Sequence, residues 1–580
     1  MNDDRKRIEE ARQVWEEKLL HPRVKRFRLS QSPTRFYTPL DRGEDRFLEK
    51  VGFPGWYPFT SGNNPFDFWR AYAADAAKLG FRPDWGGAGR VGKYGGFGTA
   101  ADYRDYLLRM QSMGRKGGPN IAFDLVTQCG YDSDSPYAEG EVGRVGVAVD
   151  SFRDFQVIYE AYTGDLNIDR VPSNYTINAP AAVIIAMYAA LAKKRGVPLE
   201  VLEGTPQNDI LKEFIARGTY IFPPAPSMRL FRDICVFCTK YMPKLNICSI
   251  GGYHIREAGA TRVQDLAFSM ANGKAYIEAA LEGGLAIDEF APQMTFNAFG
   301  GSMEIYQEIA LQRAARRMWA RMLKERFGAE NPRSMMIRQP ITAHIGCSST
   351  TLQRPLNNLA RAVVGGMAAG MSGGIPGAYP PFDEPLGLGH SLEAVQLQID
   401  ATRIMIYEAK VADVADPWAG SYFMESLTDE TETAALEEME KIEDMGGAVE
   451  AVSYMAGAVA RSAYERQKKI ENQEEFVVGV NCFTGETEME VTVNRMMEAT
   501  YDPGLMRTAE ERQKAALEQL KRERNDRAVS NSLKMLEKKA EDVGENVMPA
   551  VCECVENEAT LQEICDVLRG VFGQAEPIKL

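Results

Sequence analysis

Two segments of this chain place polar side chains at every second position, the spacing that shares one face of a strand. In SNYTIN, Asn174, Thr176 and Asn178 share a face opposite Tyr175 and Ile177. In PQMTFNAF, Gln293, Thr295 and Asn297 share a face opposite Met294 and Phe296, and ITAHIGCSSTT adds further hydroxyls. A buried amide or hydroxyl without a partner costs about 1–3 kcal/mol, so barrel interiors are ordinarily filled with Val, Ile and Leu. Three inward polar positions on each of two strands are stable when something polar occupies the axis. The opposite reading turns these faces outward beneath polar helix residues, but parallel strands are covered by apolar helix faces. The pattern therefore predicts a barrel threaded by a long, polar ligand.

Other spacings carry less chemistry. Cys235 and Cys238 form a C-x-x-C, but the flanking residues read as one helix and no second pair or nearby His completes a metal site, so they read as structural thiols. Gly87-Ala88-Gly89-Arg90-Val91-Gly92 is formally G-x-G-x-x-G. A dinucleotide site needs a strand before it and a helix after it, and neither FRPDW nor KYGGFGT supplies one. The chain has four histidines, and a lone one is usually structural. His254 differs, because it follows Gly251-Gly252-Tyr253 at the end of the strand-like LNICSI, the carboxyl edge where barrel enzymes hold their chemistry.

Elements able to position these residues are visible in the pattern. From 50 to 430, short apolar runs alternate with amphipathic helices: IAFDLVTQ then VDSFRDFQVIYEAY, SNYTINA then AAVIIAMYAALAKKRG, LNICSIGG then VQDLAFSMANGKAYIEAALEGG. Such alternation predicts parallel strands with crossover helices, here an α/β fold closed as a (β/α)8 TIM barrel. Residues 1–49 read as a polar helix and an extended arm, RFRLSQSPTRFYTPLD, suited to lie on another surface. Residues 431–580 read as a helical extension, its 505–545 stretch a solvated charged helix. With 580 residues, 45% hydrophobic and 26% charged, the chain can bury large cores, which excludes a disordered or collagen-like protein. Sixty-seven Lys and Arg against 81 Asp and Glu give a formal charge of -14, which draws it neither to nucleic acid nor to an anionic membrane. No apolar run reaches membrane-spanning length, the start has no apolar signal core, and nine unpatterned cysteines suit a reducing compartment. The expectation is a soluble, cytoplasmic protein.

Taken together, TPQNDILKEFIARGTYIFPPAPSMR, IGGYHIREAGA, IDEFAPQ, KVADVADPWAGSYFMESLT and FVVGVNCF resemble the large chain of the methylmalonyl-CoA mutase family. FDLVTQCGYDSD extends the resemblance upstream, and it continues weakly to ICDVLRGVFGQ. It implies an isomerase: an adenosylcobalamin radical enzyme that rearranges the carbon skeleton of an acyl-CoA, whose CoA chain runs through a barrel lined by small polar side chains. It places Arg217 against a substrate carboxylate, a role suited to a planar five-donor fork. Members acting on monocarboxylic acyl groups tend to lack this arginine, so its presence implies a dicarboxylic acyl-CoA. The competing reading has Arg217 capping its helix or bridging to Glu213 at i−4. The resemblance makes His254 a donor to the thioester carbonyl and Gln207 a second polar contact there, with Tyr253 packed beside it. Tyr94, in GKYGGFGT, aligns with the family's RQYAGFST, whose tyrosine sits between substrate and cofactor. Glu384, in PPFDEPLG, resembles the glutamate of FDEAL near the adenosyl ribose, where a carboxylate accepts hydroxyls. Asn174, Thr176, Thr205, Ser249, Gln293 and Thr295 are implied as lining for substrate or CoA.

The chain also departs from the family pattern. FRPDWGGAGRVGKY stands where the family reads close to RPWTIRQY, and Gly92 in place of the arginine leaves room for an acyl group bulkier than methylmalonyl. SGGIPGAYPP replaces GGTQSLHTN and removes polar adenosyl contacts. No D-x-H-x-x-G signature for a cobalt ligand occurs, so a separate small subunit is expected to bring the cobalamin, the large chains forming a homodimer or a heterotetramer with it. Two alternatives remain. One is a monocarboxylic mutase of the isobutyryl or 2-hydroxyisobutyryl type, opposed by Arg217 and by Ala122, where hydroxy-acid members carry an aspartate. The other is a noncatalytic acyl-CoA-binding scaffold.

Overall fold

The computed structural model describes residues 2–15, 17, 40, 47–63, 94–112, 117–297, 299–338, 345–374, 376–386, 391–485 and 503–578. Among the described residues the five short strands are β1 (Asn120–Ala122), β2 (Ser173–Thr176), β3 (Gly204–Pro206), β4 (Cys248–Ile250) and β5 (Met294–Phe296). They pair in parallel, with Ile121 opposite Tyr175, Asn174 opposite Thr205, and Ser249 opposite Thr295. Backbone bonds from Asn246 N to Gly204 O (2.9 Å) and Ser249 N to Gln207 O (2.8 Å) join β3 to β4. Ala122 N to Gly95 O and Phe296 N to Arg338 O, both 2.8 Å, add a flanking segment at each side. Neighbours in space are thus neighbours in sequence, linked by helices such as Ala181–Lys194 and Arg262–Glu282. The fold is mixed α/β and mostly helical.

The alternation in SNYTIN is realised as two chemically distinct faces. Tyr175 packs on Phe155 and Tyr188, with ring centroids 5.9 and 5.6 Å away, and Ile177 is fully buried. Phe296 meets Trp319 edge-on at 4.8 Å. These apolar positions face the helix layer, so the polar ones face away from it.

The strands are shorter than the sequence runs. IAFDLVTQ is strand only as far as Ala122, because Asp124 caps the helical turn Leu125–Gln128. Its carboxylate accepts from Thr127 N (2.8 Å) and Gly143 N (2.7 Å), which offers the backbone a better partner than a continued ladder. Asn178 and Asn297 likewise lie beyond the ends of β2 and β5. Cys235 and Cys238 are both buried on the helix Pro224–Tyr241.

The expected solvated helical tail is instead part of the main core. Helices Asp526–Glu541, Met548–Glu556 and Leu561–Phe572 contribute Val529, Leu536, Val551, Ile564 and Leu568 to the cluster that contains Ile184 and Phe231, and the helix Pro503–Glu523 buries Leu517 and Leu520. Gln513 Nε2 donates to Asp150 (2.9 Å) and Asp154 (3.0 Å), and Arg569 Nη2 donates to the carbonyls of Cys129 (2.8 Å) and Gly130 (3.0 Å). Charge on the outer face of these helices concealed an apolar stripe long enough to bury. The extended arm apart from Leu40, the G-x-G-x-x-G loop with Gly92, and His21, His344 and His390 lie outside the described residues.

Candidate functional site

Most of the site is built by one short segment. After β3 the chain turns at Asn208, which has a positive φ of 46°. That left-handed conformation is one that asparagine tolerates better than most residues. Asn208 Nδ2 donates to Ile247 O at 3.0 Å. The turn sends the chain into the helical stretch 210–217, which ends because Gly218 adopts φ 82° and donates its N–H to Glu213 O at 2.7 Å. Gln207 and Arg217 therefore stand at the two ends of a rigid unit.

Arg217 Nη2 donates to Gln128 Oε1 at 3.4 Å, and its Nη1 lies 3.6 Å from Glu213 Oε1. The i−4 contact to Glu213 thus exists, but at a distance beyond an ordinary hydrogen bond. Nη1 is buried and has no hydrogen-bond partner among the described residues. Gln207 Oε1 accepts from Lys212 Nζ (3.0 Å) and Asn178 Nδ2 (3.2 Å).

His254 sits on the short helix Gly252–Glu257 that follows β4. Its Nδ1 is 3.3 Å from Gly251 O, and its ring centroid is 4.0 Å from that of Tyr253. Asp209 fixes this loop by accepting from Gly251 N (2.7 Å) and from the Tyr276 hydroxyl (2.5 Å). Burial pushes the Asp209 carboxyl above its usual range. Gly251 must lack a side chain, since a Cβ there would come within 2.5 Å of His254 Nδ1.

Tyr94 lies near Thr176 and within the fields of Arg217 and Glu384. Protein around it desolvates its hydroxyl and raises its pKa, although 55% of its surface is still reachable by water. Burial also raises the Tyr253 hydroxyl, which lies within the fields of Tyr94 and Arg217. Glu257 accepts from Ser348 N and Oγ, both at 2.9 Å, and so draws the 346–348 turn onto the His254 helix. Cys347 in that turn lies 3.8 Å from Glu384 Oε1, and burial and that carboxylate push its thiol up to about 12.

The structure thus brings Tyr94, Thr176, Gln207, Arg217, Tyr253, His254 and Glu384 into one connected neighbourhood. Thr205 and Gln293 stand at the other end of the strands, joined through Asn246 and Arg338: Asn246 Nδ2 donates to Thr205 Oγ1 (2.7 Å), and Arg338 Nη1 lies 3.2 Å from Asn246 Oδ1 and 3.5 Å from Gln293 Oε1. Asn174 is in register with Thr205. Ser249 and Thr295 lie side by side between the two groups. Lys212, Gln128, Asp209 and Glu257 were not singled out from sequence, although all four lie inside the motifs quoted above, and Glu213 entered only as the i−4 partner of Arg217.

A carboxylate, Glu384, and the half-exposed ring of Tyr94 form a set whose chemistry is compatible with a nucleoside, since a carboxylate can accept hydroxyls. Among the described residues no group of three His, Cys, Asp or Glu is placed to hold a metal ion. Also among these residues, no helix is long and apolar enough to cross a membrane.

Comparison with known proteins gives this arrangement its context. A family model described as methylmalonyl-CoA mutase matches residues 30–574. The 2-hydroxyisobutanoyl-CoA mutase large subunit of Aquincola tertiaricarbonis is 35% identical over 544 residues, covering 93% of this chain and 90% of its own. A probable mitochondrial methylmalonyl-CoA mutase of Caenorhabditis elegans is 36% identical over 543 residues, with 92% and 68% covered. The human mitochondrial methylmalonyl-CoA mutase is 35% identical over 540 residues, with 92% and 67% covered. The protein is an isomerase of the acyl-CoA mutase type. It belongs to the methylmalonyl-CoA mutase family, whose members use adenosylcobalamin, and it spans about two thirds of the length of the methylmalonyl-CoA mutases it matches.

Proposed function

We propose that this chain is the acyl-CoA-binding, catalytic subunit of an adenosylcobalamin-dependent mutase that moves the thioester group between adjacent carbons of a dicarboxylic acyl-CoA. The observation that carries this reading is the buried Arg217 Nη1 with no hydrogen-bond partner among the described residues. An unsatisfied buried donor costs about 1–3 kcal/mol, more when charged, and a ligand carboxylate satisfies it in the bidentate geometry a guanidinium favours.

The remaining residues take roles consistent with their positions. Gln207 and His254 hold the thioester carbonyl, with Tyr253 packed along the imidazole. Tyr94 excludes water between substrate and cofactor, and Glu384 accepts hydroxyls of the adenosyl ribose. The polar strand faces support a closed (β/α)8 barrel over 50–430, with 431–580 as its helical extension. The pantetheine arm runs through this barrel past Asn174, Thr176, Thr205, Ser249, Gln293 and Thr295. When bound, adenosylcobalamin supplies a cobalt–carbon bond whose homolysis starts the radical chemistry.

A separate small subunit brings that cofactor, supported by the nine-tenths coverage of a relative named as a large subunit. The large chains pair as a homodimer or within a heterotetramer. The glycine-rich 86–92 stretch, with Gly92 in place of the family's arginine, favours an acyl group with a bulkier alkyl substituent. All nine cysteines are free in the structure, which suits a reducing compartment such as the cytoplasm.

The test is isomerisation of dicarboxylic acyl-CoA esters by the chain with adenosylcobalamin and a small cobalamin-binding partner. Arg217→Gln should lower turnover of a dicarboxylic ester by about 100-fold, the loss expected for a desolvated charge pair, while CoA itself binds as before. A variant that loses dicarboxylic and monocarboxylic turnover equally would place the chain with the isobutyryl or 2-hydroxyisobutyryl type. Absence of isomerisation with every ester would leave a binding scaffold.

A further inference from the structure

Beneath the site lies an ion pair whose burial needs a reason. Lys212 and Glu213 are adjacent in sequence and both side chains are fully buried, with Nζ 2.5 Å from Oε1. Taking two charges out of water costs about as much as their attraction returns, so stability alone is a weak explanation. Burial presses the lysine toward its neutral form, and Glu213 opposes that.

The contacts of the pair point toward the ligand. Lys212 Nζ also donates to Gln207 Oε1 at 3.0 Å, and Asn178 Nδ2 donates both to that oxygen (3.2 Å) and to Glu213 Oε1 (2.7 Å). An ammonium can only donate, so the Gln207 atom that faces it is the carbonyl oxygen. Flipping the amide would set NH2 against the ammonium and leave Nζ short of an acceptor. Gln207 Nε2 is therefore directed away from the pair, and among the described residues no acceptor takes its hydrogens. The lysine stem also borders His254: a Cβ on Gly251 would lie 3.2 Å from Lys212 Cε and 2.5 Å from His254 Nδ1.

We propose that Lys212, anchored by Glu213, is a positioning residue of this site, fixing the Gln207 amide so that Nε2 is the group offered to the thioester carbonyl. The inference rests on the acyl-CoA reading above. It makes Gln207 a one-way donor whose direction is set from behind.

The test compares two probes, succinyl-CoA and its thioether in which a methylene replaces the thioester carbonyl. Binding of each to the full chain is measured by calorimetry. Lys212→Met alone strands Glu213 as a buried charge, so it is made also with Glu213→Gln, which removes both charges at nearly constant volume. Any effect through Arg217 is common to both probes, because both carry the carboxylate. Both variants should lose about tenfold in affinity for the thioester relative to the thioether, the scale of one buried hydrogen bond. Gln207→Met should give the same selective loss, and adding it to either variant should cost nothing further. Equal losses on both probes, or additive losses with Gln207→Met, would overturn the positioning role and leave the pair merely structural. If the unmodified chain binds neither probe, the acyl-CoA reading itself falls and this role falls with it.

Discussion

A single hydrogen atom at Gly251 holds much of the site geometry. Its φ of -107° is one that any residue adopts, so an alanine there meets no backbone strain. The added methyl would instead meet His254 Nδ1 at 2.5 Å, His254 Cε1 at 3.1 Å and Lys212 Cε at 3.2 Å, and the imidazole is the group free to move. Gly251→Ala should cost about 1–3 kcal/mol in urea unfolding, the usual range for overpacking. Turnover should fall by about 100-fold, because a displacement of about 1 Å at a positioned group has that effect. Turnover at the unmodified level would show that the ring position is not used. Arg217 is instructive at the same scale. The i−4 bridge to Glu213 and the carboxylate-binding role looked like alternatives in sequence, and the structure accommodates both, since a 3.6 Å contact orients the guanidinium without using up its Nη1 hydrogens.

The element that matters most is the turn and helix from 207 to 217. Asn208 at φ 46° steers the chain, and its side chain ties the turn to β4 through Ile247 O. Asn208→Gly should lose only the side-chain bond, about 1 kcal/mol. Asn208→Ala should lose that bond and also bear the left-handed strain, a further 1–2 kcal/mol or so. Chemical denaturation of the two variants separates these contributions, and equal stabilities would mean that the turn relaxes. What was legible in this region follows from periodicity. Polar faces on β2 and β5 showed because a period of two is local, and His254 showed because a strand end followed by GGYH is local. The buried Lys212–Glu213 pair did not, because adjacent charges on a short helix look like a solvated face, and Glu213 showed only as an i−4 partner of Arg217. Asn178 reaches Glu213 from the far side of β2, and Gln207 and Thr219 fold back onto the pair from the two ends of the same segment. Strand ends were hidden for a related reason: Asp124 ends β1 by binding Gly143 N, nineteen residues away.

At the scale of the whole molecule, the C-terminal helices are fastened across a set of buried carboxylates. Asp150 accepts from Ser133 N (2.8 Å) and Gln513 Nε2 (2.9 Å), and Asp154 accepts from Gln513 Nε2 (3.0 Å) and Ser151 N (3.0 Å). Asp132 accepts from Gln562 N at 2.9 Å, with Lys521 3.8 Å away. Gln513→Leu would leave two buried carboxylates short of a donor and should lower stability by about 1–3 kcal/mol. Burial pushes Asp132 up to about 7, partly offset by its hydrogen bonds and by Lys521. Burial, then the charges of Asp132 and Asp154, raise Asp150 well above the usual range. In the unfolded chain these groups titrate near pH 4 or so. Between there and about 7 the folded state therefore holds more protons than the unfolded one, and unfolding free energy must fall as pH rises through that window. Asp132→Asn, neutral at every pH, should flatten part of that slope while keeping an acceptor for Gln562 N. Urea unfolding of both proteins across the window checks this. Parallel slopes would mean that Asp132 ionises without loosening the joint between the helices and the α/β core, whereas a flatter slope in the variant ties attachment of these helices to a proton held at that joint.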